Sequence, residues 1–438
     1  MVLFRAAVVT TALVCLANVA NADVSVATLL SDPKVLAQRL REIDPVVAAA
    51  SARIEAARES SAQARVYPNP QLSVTGGGLA LGRGNRADGQ AGPTSVGDTG
   101  NIGVGISEMF ELGKRGPRQH AAEARTQEAG AQAVATLGAR ITDAQGLLGD
   151  LAHLAARRDV IATNLEAAKK LEALEKVRVD HQDLAPVEFE RIQLDTKSLE
   201  LQLRRADADV ASALASCSAL FHDTCNATGI DASTLDKGAD LPQALPESNG
   251  AIAARPLREA SRDEVSALQS DAELAANRKI PDLTVGLGYT YDRYEYSGSV
   301  PQTLALTVGI PLPFFDTGVH DASVARANAK AIQAQDKAEE LVATGTVNGL
   351  LLRRNSLVQV ITSMEQESLP SSTRIIEQTR KAFDLGQSRL ADLLLVERAH
   401  RDLQLDLLDT RFELFQVRAA LREALGIDDD VARSVENK

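Results

Sequence analysis

Short alternating stretches and very long stretches of helical spacing follow one another along this chain, twice in the same order. Leu72 and Val74 alternate with Gln71, Ser73 and Thr75, and Ile102, Val104 and Ile106 alternate with glycines, so each stretch reads as a strand. Leu283, Val285, Leu287, Tyr289 and Tyr291 alternate likewise, as do Leu304, Leu306, Val308 and Ile310. Each strand pair is preceded by a helical stretch and followed by a much longer one that breaks once and returns. The pattern predicts a mixed α and β chain, mostly helical, made of a duplicated helix-strand-strand-helix-helix unit. The first unit covers 23–225, with strands near 71–77 and 100–110 and a coiled-coil hairpin near 117–220. A linker rich in Gly, Pro, Asp and Ser covers 226–252. The second unit covers 253–427, with strands near 282–292 and 302–312 and a hairpin near 318–425, and 428–438 is a tail.

Punctuation along the chain supports these boundaries. Residues 23–44 read as a short leader. Asp44 and Pro45 suit a helix start, and Tyr67-Pro68-Asn69-Pro70 stops that helix. The Gly-, Asn- and Asp-rich stretch 76–99 reads as a long exposed loop. The helix over 117–176 holds no proline after Pro117 and would span roughly 90 Å at 1.5 Å per residue, more than a globular domain needs. It breaks near 177–183, where Asp183 can cap a returning helix with Pro186 in its first turn. Pro370 should kink the second long helix, and Gly386-Gln387-Ser388 should break it. Leu407, Leu414 and Leu421 then recur at intervals of seven, with Val417 beside them, and Gly426 suits a C-cap.

Composition narrows the architecture. No Trp, five Tyr and nine Phe in 438 residues, with abundant Ala and Leu, favour narrow helix seams over one wide core. The net charge of −12 includes no basic stripe of the kind nucleic acid requires, so no nucleic-acid partner is expected. No segment is long and apolar enough for a transmembrane helix, but barrel strands need only about ten alternating residues.

The N-terminus has the form of an export signal. Arg5 precedes an apolar run, and Ala20-Asn21-Ala22 fits a cleavage site, so 1–22 reads as a cleavable signal peptide. An uncleaved anchor is the alternative. Processing at Cys15 as a lipoprotein is disfavoured by the bulky Val14 before it. Cleavage would leave Cys217 and Cys225, eight residues apart, as a disulfide candidate for an oxidising compartment. Free thiols and a metal pair remain the alternatives.

The repeat points to an assembly. One chain supplies four strands, too few to close a barrel with a lumen, and lipid does not tolerate unpaired strand edges. Two chains would give eight strands, barely wide enough for packed side chains, and three would give twelve. A homotrimer is therefore expected for a channel. Tyr289, Tyr291, Tyr294 and Tyr296 cluster at one strand end, as membrane-interface aromatics would, although local packing would also gather them. Charged, Ala-rich helices packed along narrow seams could wall a wide tube. A solid coiled-coil rod is the alternative, disfavoured by the interposed strands.

Over residues 38–427 the chain resembles the outer-membrane factor, or TolC, family of Gram-negative export channels. The resemblance rests on the doubled element order and on the segment Phe383-Asp384-Leu385-Gly386-Gln387-Ser388-Arg389-Leu390-Ala391-Asp392-Leu393-Leu394. The first turn, Val177-Arg178-Val179-Asp180, has no glycine, though Asp183-Leu184 is similar to the Asp–Leu pair of the second. Phe110-Glu111-Leu112-Gly113-Lys114-Arg115 resembles the heavy-metal efflux branch of the cobalt–zinc–cadmium and nickel type. The resemblance implies a trimeric 12-stranded outer-membrane β-barrel continuous with a long periplasmic α-helical barrel. It also implies docking, through a periplasmic adaptor protein, to an inner-membrane RND pump that hands over metal cations, in contact with outer-membrane lipid. Glu111, Gly113, Lys114, Arg115 and Gly318 would form the barrel-to-helix junction. Arg178, Asp180, Asp183, Gly386, Ser388, Arg389 and Asp392 would be the adaptor-docking tips.

No catalytic constellation, resident metal site or cofactor motif is expected, so the chain does not read as an enzyme. His120, His153, His181, His222, His320 and His400 are scattered. His181, beside Asp180 and Asp183, could touch a passing metal, but it reads as part of a solvated helix turn. An acidic lumen would concentrate cations, and the net charge fits that. Two other readings stay open: a channel for drugs or secreted protein, and a soluble periplasmic coiled-coil scaffold.

Overall fold

The computed structural model describes residues 24–77, 100–230, 232–242, 245–292 and 302–436. The expected signal peptide, Tyr294, Tyr296 and most of the 76–99 loop lie outside them. The chain is mostly helical, and it divides into two compact units that do not coincide with the two sequence repeats. A sheet unit takes residues 45–137 and 246–346, and a hairpin unit takes the described residues within 1–44, 138–245 and 347–438. The two longest helices each contribute to both.

In the sheet unit, α3 (Pro45–Ala64) leads into β2 (Gln71–Gly77), β3 (Asn101–Phe110) and the first part of α4 (Arg115–Asp180). The second repeat supplies α7 (Ser248–Ala253), α8 (Pro256–Ala276), β5 (Leu283–Asp292), β6 (Gln302–Gly309) and the first part of α9 (Val319–Ser363). The strands form one antiparallel sheet in the order β2-β3-β5-β6. β6 stops before Pro311 and Pro313, which have no N–H to donate to a ladder. α4 begins at Arg115, earlier than 117, because Pro117 sits in the first turn where its missing N–H needs no acceptor. The helices pack through small residues, with Ala272, Ala275 and Ala322 forming a buried cluster.

The hairpin unit holds β1 (Val24–Ser25), α1 (Val26–Ser31) and α2 (Pro33–Ile43). The rest of α4 follows, then α5 (Pro186–Phe221), β4 (Cys225–Asn226) and α6 (Ala232–Lys237). The end of α9 continues through a π-helical turn (Met364–Ser368) into α10 (Leu369–Asp384), α11 (Leu390–Ala424) and α12 (Ile427–Glu436). The π turn lies just before Pro370, whose ring would meet the carbonyl four residues back in a regular α-helix, so the kink expected at Pro370 takes this form.

Three segments differ from the sequence expectation. The leader 23–44 is core: Leu29, Leu30, Leu36 and Leu40 are buried, and the Asp32 carboxylate caps α2 by accepting from the Lys34 N–H at 2.9 Å. The linker region contributes buried Ile230, Leu235 and Ile252. The tail is α12, whose Ala432 and Val435 are buried. Its first turn is tied back by the Asp428 carboxylate, which accepts from Arg422 at 2.6 Å and from Thr142 at 3.2 Å. Leu407, Leu414 and Leu421 line the buried stripe of α11.

Candidate functional site

Within the sheet unit, the register sorts side chains into two unlike faces. One face carries the rows Leu72–Ile106–Leu287–Leu306 and Val74–Val104–Tyr289–Leu304. These apolar side chains are uncovered: Leu72, Val74, Leu304 and Leu306 expose 73%, 70%, 72% and 71% of their surface. Glu108 joins this face beside Val285 and Val308, one row in from the Phe110–Leu283 pair nearest the helices. The other face carries Gln71–Ser107–Gly286–Thr307 and Ser73–Gly105–Gly288–Ala305, and among the described side chains it bears no charge. Its hydroxyls are turned onto neighbouring strands. Thr307 donates to the Gly286 carbonyl at 3.3 Å, and a Cβ added at Gly286 would lie 2.6 Å from that hydroxyl oxygen.

Tyr289 and Tyr291 lie toward the far end of the apolar face, and Phe110 lies at the end nearest the helices. Phe314 and Phe315 follow β6 at that same end and are exposed. From Leu283 to Tyr291 the strand rises about 27 Å, which at a barrel tilt of about 40° spans roughly 21 Å of the ~25 Å apolar band of an outer-membrane barrel. In the sequence Phe110 stands out only as part of the junction motif, and Phe314 and Phe315 lie outside the alternating strand, so the tyrosines alone read as interface aromatics.

The junction residues all have local structural work. Gly113 and Gly318 both adopt φ +72°. A Cβ at Gly318 would sit 1.9 Å from the Ala275 carbonyl oxygen, so the second turn admits only glycine. Lys114 pairs with Asp282 at 2.7 Å, and Glu111 accepts from Arg118 at 2.5 Å. Arg115 lies 3.9 Å over the Tyr67 ring and donates to the Arg65 carbonyl at 2.9 Å. Arg118 donates to the Ala64 carbonyl at 3.1 Å. The motif therefore caps the end of α3 with two guanidiniums and turns the chain from β3 into α4. Its chemistry does not address a metal.

At the hairpin turns the hairpin unit repeats one backbone device. The Gln387 N–H donates to the Ala382 carbonyl at 2.8 Å and the Gly386 N–H to the Phe383 carbonyl at 2.9 Å, with Gly386 at φ +71°. The Asp183 N–H donates to the Arg178 carbonyl at 2.8 Å and the Gln182 N–H to the Val179 carbonyl at 2.9 Å, with Gln182 at φ 65°. Both are Schellman turns, and Gln182 occupies the glycine position. Asp183 therefore matches Gln387, not Asp392. Nor does Asp183 begin α5: Pro186 sets the first helical residue, which puts Ala185 at the cap position. The counterpart of Asp392, whose carboxylate accepts from the Arg389 N–H at 3.3 Å, is Glu188.

The turn residues fall into two groups. Asp180, Asp183, Gly386, Arg389 and Asp392 are exposed, as is His181, and Ser388 is half-buried. Arg178 turns inward. It pairs with buried Glu175 at 3.1 Å and lies 5.0 Å over the buried Phe383 ring. Burial pushes the Glu175 carboxyl up from its usual range, the Arg178 guanidinium pulls it down, and Asp384 raises it. Leu171, Ile192, Phe383, Leu390, Leu393 and Leu394 form one core beneath the two turns. A further tie is Asp195 on α5, which accepts from Arg398 at 2.8 Å and faces Arg401 at 3.7 Å.

The histidines are not gathered, and no group of three or more His, Cys, Asp or Glu could hold a metal among the described residues. His153 is buried and stacks on Phe412 with centroids 4.4 Å apart, and burial lowers its pKa. Cys217 and Cys225 are joined by a disulfide. Among the described residues no helix is long and apolar enough to cross a membrane.

Comparison with known proteins agrees with this arrangement. Residues 248–427 match the model of the family described as outer membrane efflux protein. The cobalt-zinc-cadmium resistance protein CzcC of Cupriavidus metallidurans is 26% identical over 87% of this chain and 86% of its own. The nickel and cobalt resistance protein CnrC of the same organism is 26% identical over 76% of this chain and 73% of its own. The solved outer-membrane channel OprN has the same fold, with a TM-score of 0.73 and 18% identity over 92% of each chain. Together the matches give this chain the fold of a solved outer-membrane channel and a distant likeness to those metal-resistance proteins.

Proposed function

We propose that three copies of this chain form the outer-membrane exit duct of a tripartite efflux system for divalent heavy-metal cations. The observation that carries this reading is the two-faced sheet: a largely exposed apolar face, interrupted by Glu108 near the helices, backed by a face of hydroxyls and glycines on which no described side chain is charged. Such a sheet in water would be an aggregation surface. In lipid its apolar face is satisfied, and the open edges of β2 and β6 pair with neighbouring copies, so three four-stranded sheets close one twelve-stranded barrel. A soluble scaffold has no use for this face.

The duct is passive. The described side chains of the barrel's inner face supply neutral hydroxyls and no carboxylate, so the wall offers passing divalent cations little to hold on to. Selection of cargo therefore belongs to the inner-membrane pump of the RND class, and the chain's share is to receive cargo through a periplasmic adaptor. The exposed residues Asp180, Asp183, Arg389 and Asp392 are the docking surface in this reading, with Gly386 and Ser388 shaping the second turn. Arg178 instead holds the turn core together. The relatives named for metal resistance support metal cations as cargo, and the chain would reach the membrane after cleavage of the segment 1–22.

A deletion strain that still expresses the adaptor and pump tests the cargo. Tolerance to zinc, cadmium, cobalt, nickel and copper is measured beside two hydrophobic drugs. Loss of tolerance to one or more metals, restored by this gene, is expected. Intact metal tolerance with lost drug tolerance would replace metals by drugs as the cargo.

A further inference from the structure

The heptad stripe of α11 contains a polar residue. Leu393, Leu407, Leu414 and Leu421 are spaced by sevens or multiples of seven, and the remaining position in that series is His400. A polar residue at an apolar heptad position costs stability and is a known device for fixing helix register. Here it belongs to a chain of hydrogen bonds that crosses from the second hairpin to the first. Asn164 on α4 donates from Nδ2 to the Val160 carbonyl at 2.8 Å and to Gln404 Oε1 at 3.1 Å. Gln404 Nε2 lies 3.0 Å from His400 Nε2, and His400 Nδ1 lies 2.8 Å from Ser372 Oγ on α10. Ser372 in turn donates to the Leu369 carbonyl at 2.9 Å.

Both ends of this chain are backbone carbonyls, which can only accept, and that fixes every direction between them. The Asn164 amide must present Nδ2 to Val160. Gln404 must then present its oxygen to Asn164 and its NH2 to the histidine. His400 Nε2 must accept, so the proton sits on Nδ1 and is given to Ser372. Only the neutral Nδ1–H tautomer satisfies all five bonds.

We propose that His400 is a proton-operated latch between the two hairpins. A proton added at Nε2 would face the Gln404 NH2, donor against donor. Turning the Gln404 amide moves the conflict to Asn164, and turning Asn164 moves it to the Val160 carbonyl, acceptor against acceptor. No rotation removes it, so the conflict falls on Gln404–His400 within α11, on Asn164–Gln404 between α11 and α4, or on Asn164–Val160 within α4, and in each case Gln404 or Asn164, the pair that joins the hairpins, loses a partner.

The surroundings leave the imidazole as the responsive group. On α11 the flanking charges are Glu397, paired with Arg380 of α10, and Arg401 and Arg398, both facing Asp195 of α5. Asp402, and Arg374 and Glu377 of α10, are exposed. α4 presents the uncharged Asn164. Burial lowers the His400 pKa from 6.5. A histidine lowered on folding is neutral in both states at high pH, so the seam is intact near neutrality. As pH falls below about 6.5 the unfolded chain binds the proton first, and the stabilisation is lost as pH falls through the folded value. Acid therefore loosens the seam between hairpins, whatever the cargo.

Hydrogen–deuterium exchange of the full-length protein in detergent tests this at pH 7.5 and 5.0, with labelling times scaled for intrinsic amide exchange. Segments of α4 around Asn164 and of α11 around Gln404 should exchange roughly fivefold faster at pH 5.0, the factor expected for one hydrogen bond lost. His400→Gln can accept from Gln404 and donate to Ser372 without titrating, so these segments should stay protected at both pH values. Asn164→Ala should exchange fast at both. Equal protection of the natural protein at the two pH values, or an undiminished acid response in His400→Gln, would overturn the latch.

Discussion

The two repeats solve the same three geometric problems, one with the same residue type and two with different ones, and the differences separate what backbone geometry demands from what sequence happens to supply. At the sheet-to-helix turn both use glycine at φ +72°, but only Gly318 is also crowded, by the Ala275 carbonyl. At the hairpin turn both form the same pair of backbone bonds, one around Gly386 and the other around Gln182. At the hairpin's end the first repeat ties α5 to the next segment with the Cys217–Cys225 disulfide, and the second ties α11 to α12 with the buried Arg422–Asp428 pair. A repeat is thus conserved within the chain as a set of backbone bonds and clamps, not as a set of residue types.

Substitutions can break or sharpen that contrast. The largest effect should come from the clamps. Asp428→Ala leaves Arg422 buried without its partner and should cost about 4 kcal/mol in denaturant unfolding of the hairpin unit. An unchanged midpoint would show that α12 is not a clamp. At the turns, Gly318→Ala should cost about 3 kcal/mol, because strain and a backbone clash add, whereas Gly113→Ala meets the Ile280 and Asn277 side chains only at ordinary contact distance and should cost about 1 kcal/mol. Equal costs would remove the distinction between the two junctions.

The disulfide clamp should be weaker than the ion pair's loss. Closing so short a loop is worth about 2.5 kcal/mol in the chain-entropy picture, so Cys217→Ser with Cys225→Ser should lower stability by that amount and abolish sensitivity to reductant. The smallest effect is a gain. Gln182→Gly relieves a left-handed residue and should stabilise the first turn by up to about 1 kcal/mol, while Gly386→Gln, with open space around it, should cost about the same. Gln182→Gly that destabilises would mean the glutamine side chain has a job of its own. At these same turns, Arg389→Glu should weaken cross-linking to the adaptor without altering stability, whereas Arg178→Glu should first lower stability, since Arg178 touches Glu175 and Phe383.

The strands were legible because alternation, proline and glycine mark them locally. The turn around Gln182 was not, since its signal is a hydrogen-bond pattern and the residue expected to carry it is absent. Asp428, Asp429 and Asp430 read as a solvated tail, yet they open a helix whose apolar residues are spaced for burial. The motif from Phe110 to Arg115 was legible as a junction, and its bonds explain it as one, so it speaks to architecture more than to cargo. His400 could have been found by extending the seven-residue spacing back by one step from Leu407. The two-faced sheet was half legible: the apolar rows follow from alternation, but the uncharged opposite face needed the register.

That sheet is the centre of the account, and cysteine accessibility in intact cells tests it most directly. Single cysteines at Leu304, Ala305, Leu306 and Thr307 are challenged with a membrane-impermeant, water-soluble thiol reagent. The account predicts labelling of Ala305→Cys and Thr307→Cys and protection of Leu304→Cys and Leu306→Cys, because lipid covers one face and water the other. Equal labelling at all four positions would mean that no membrane covers the apolar face, and would contradict the barrel.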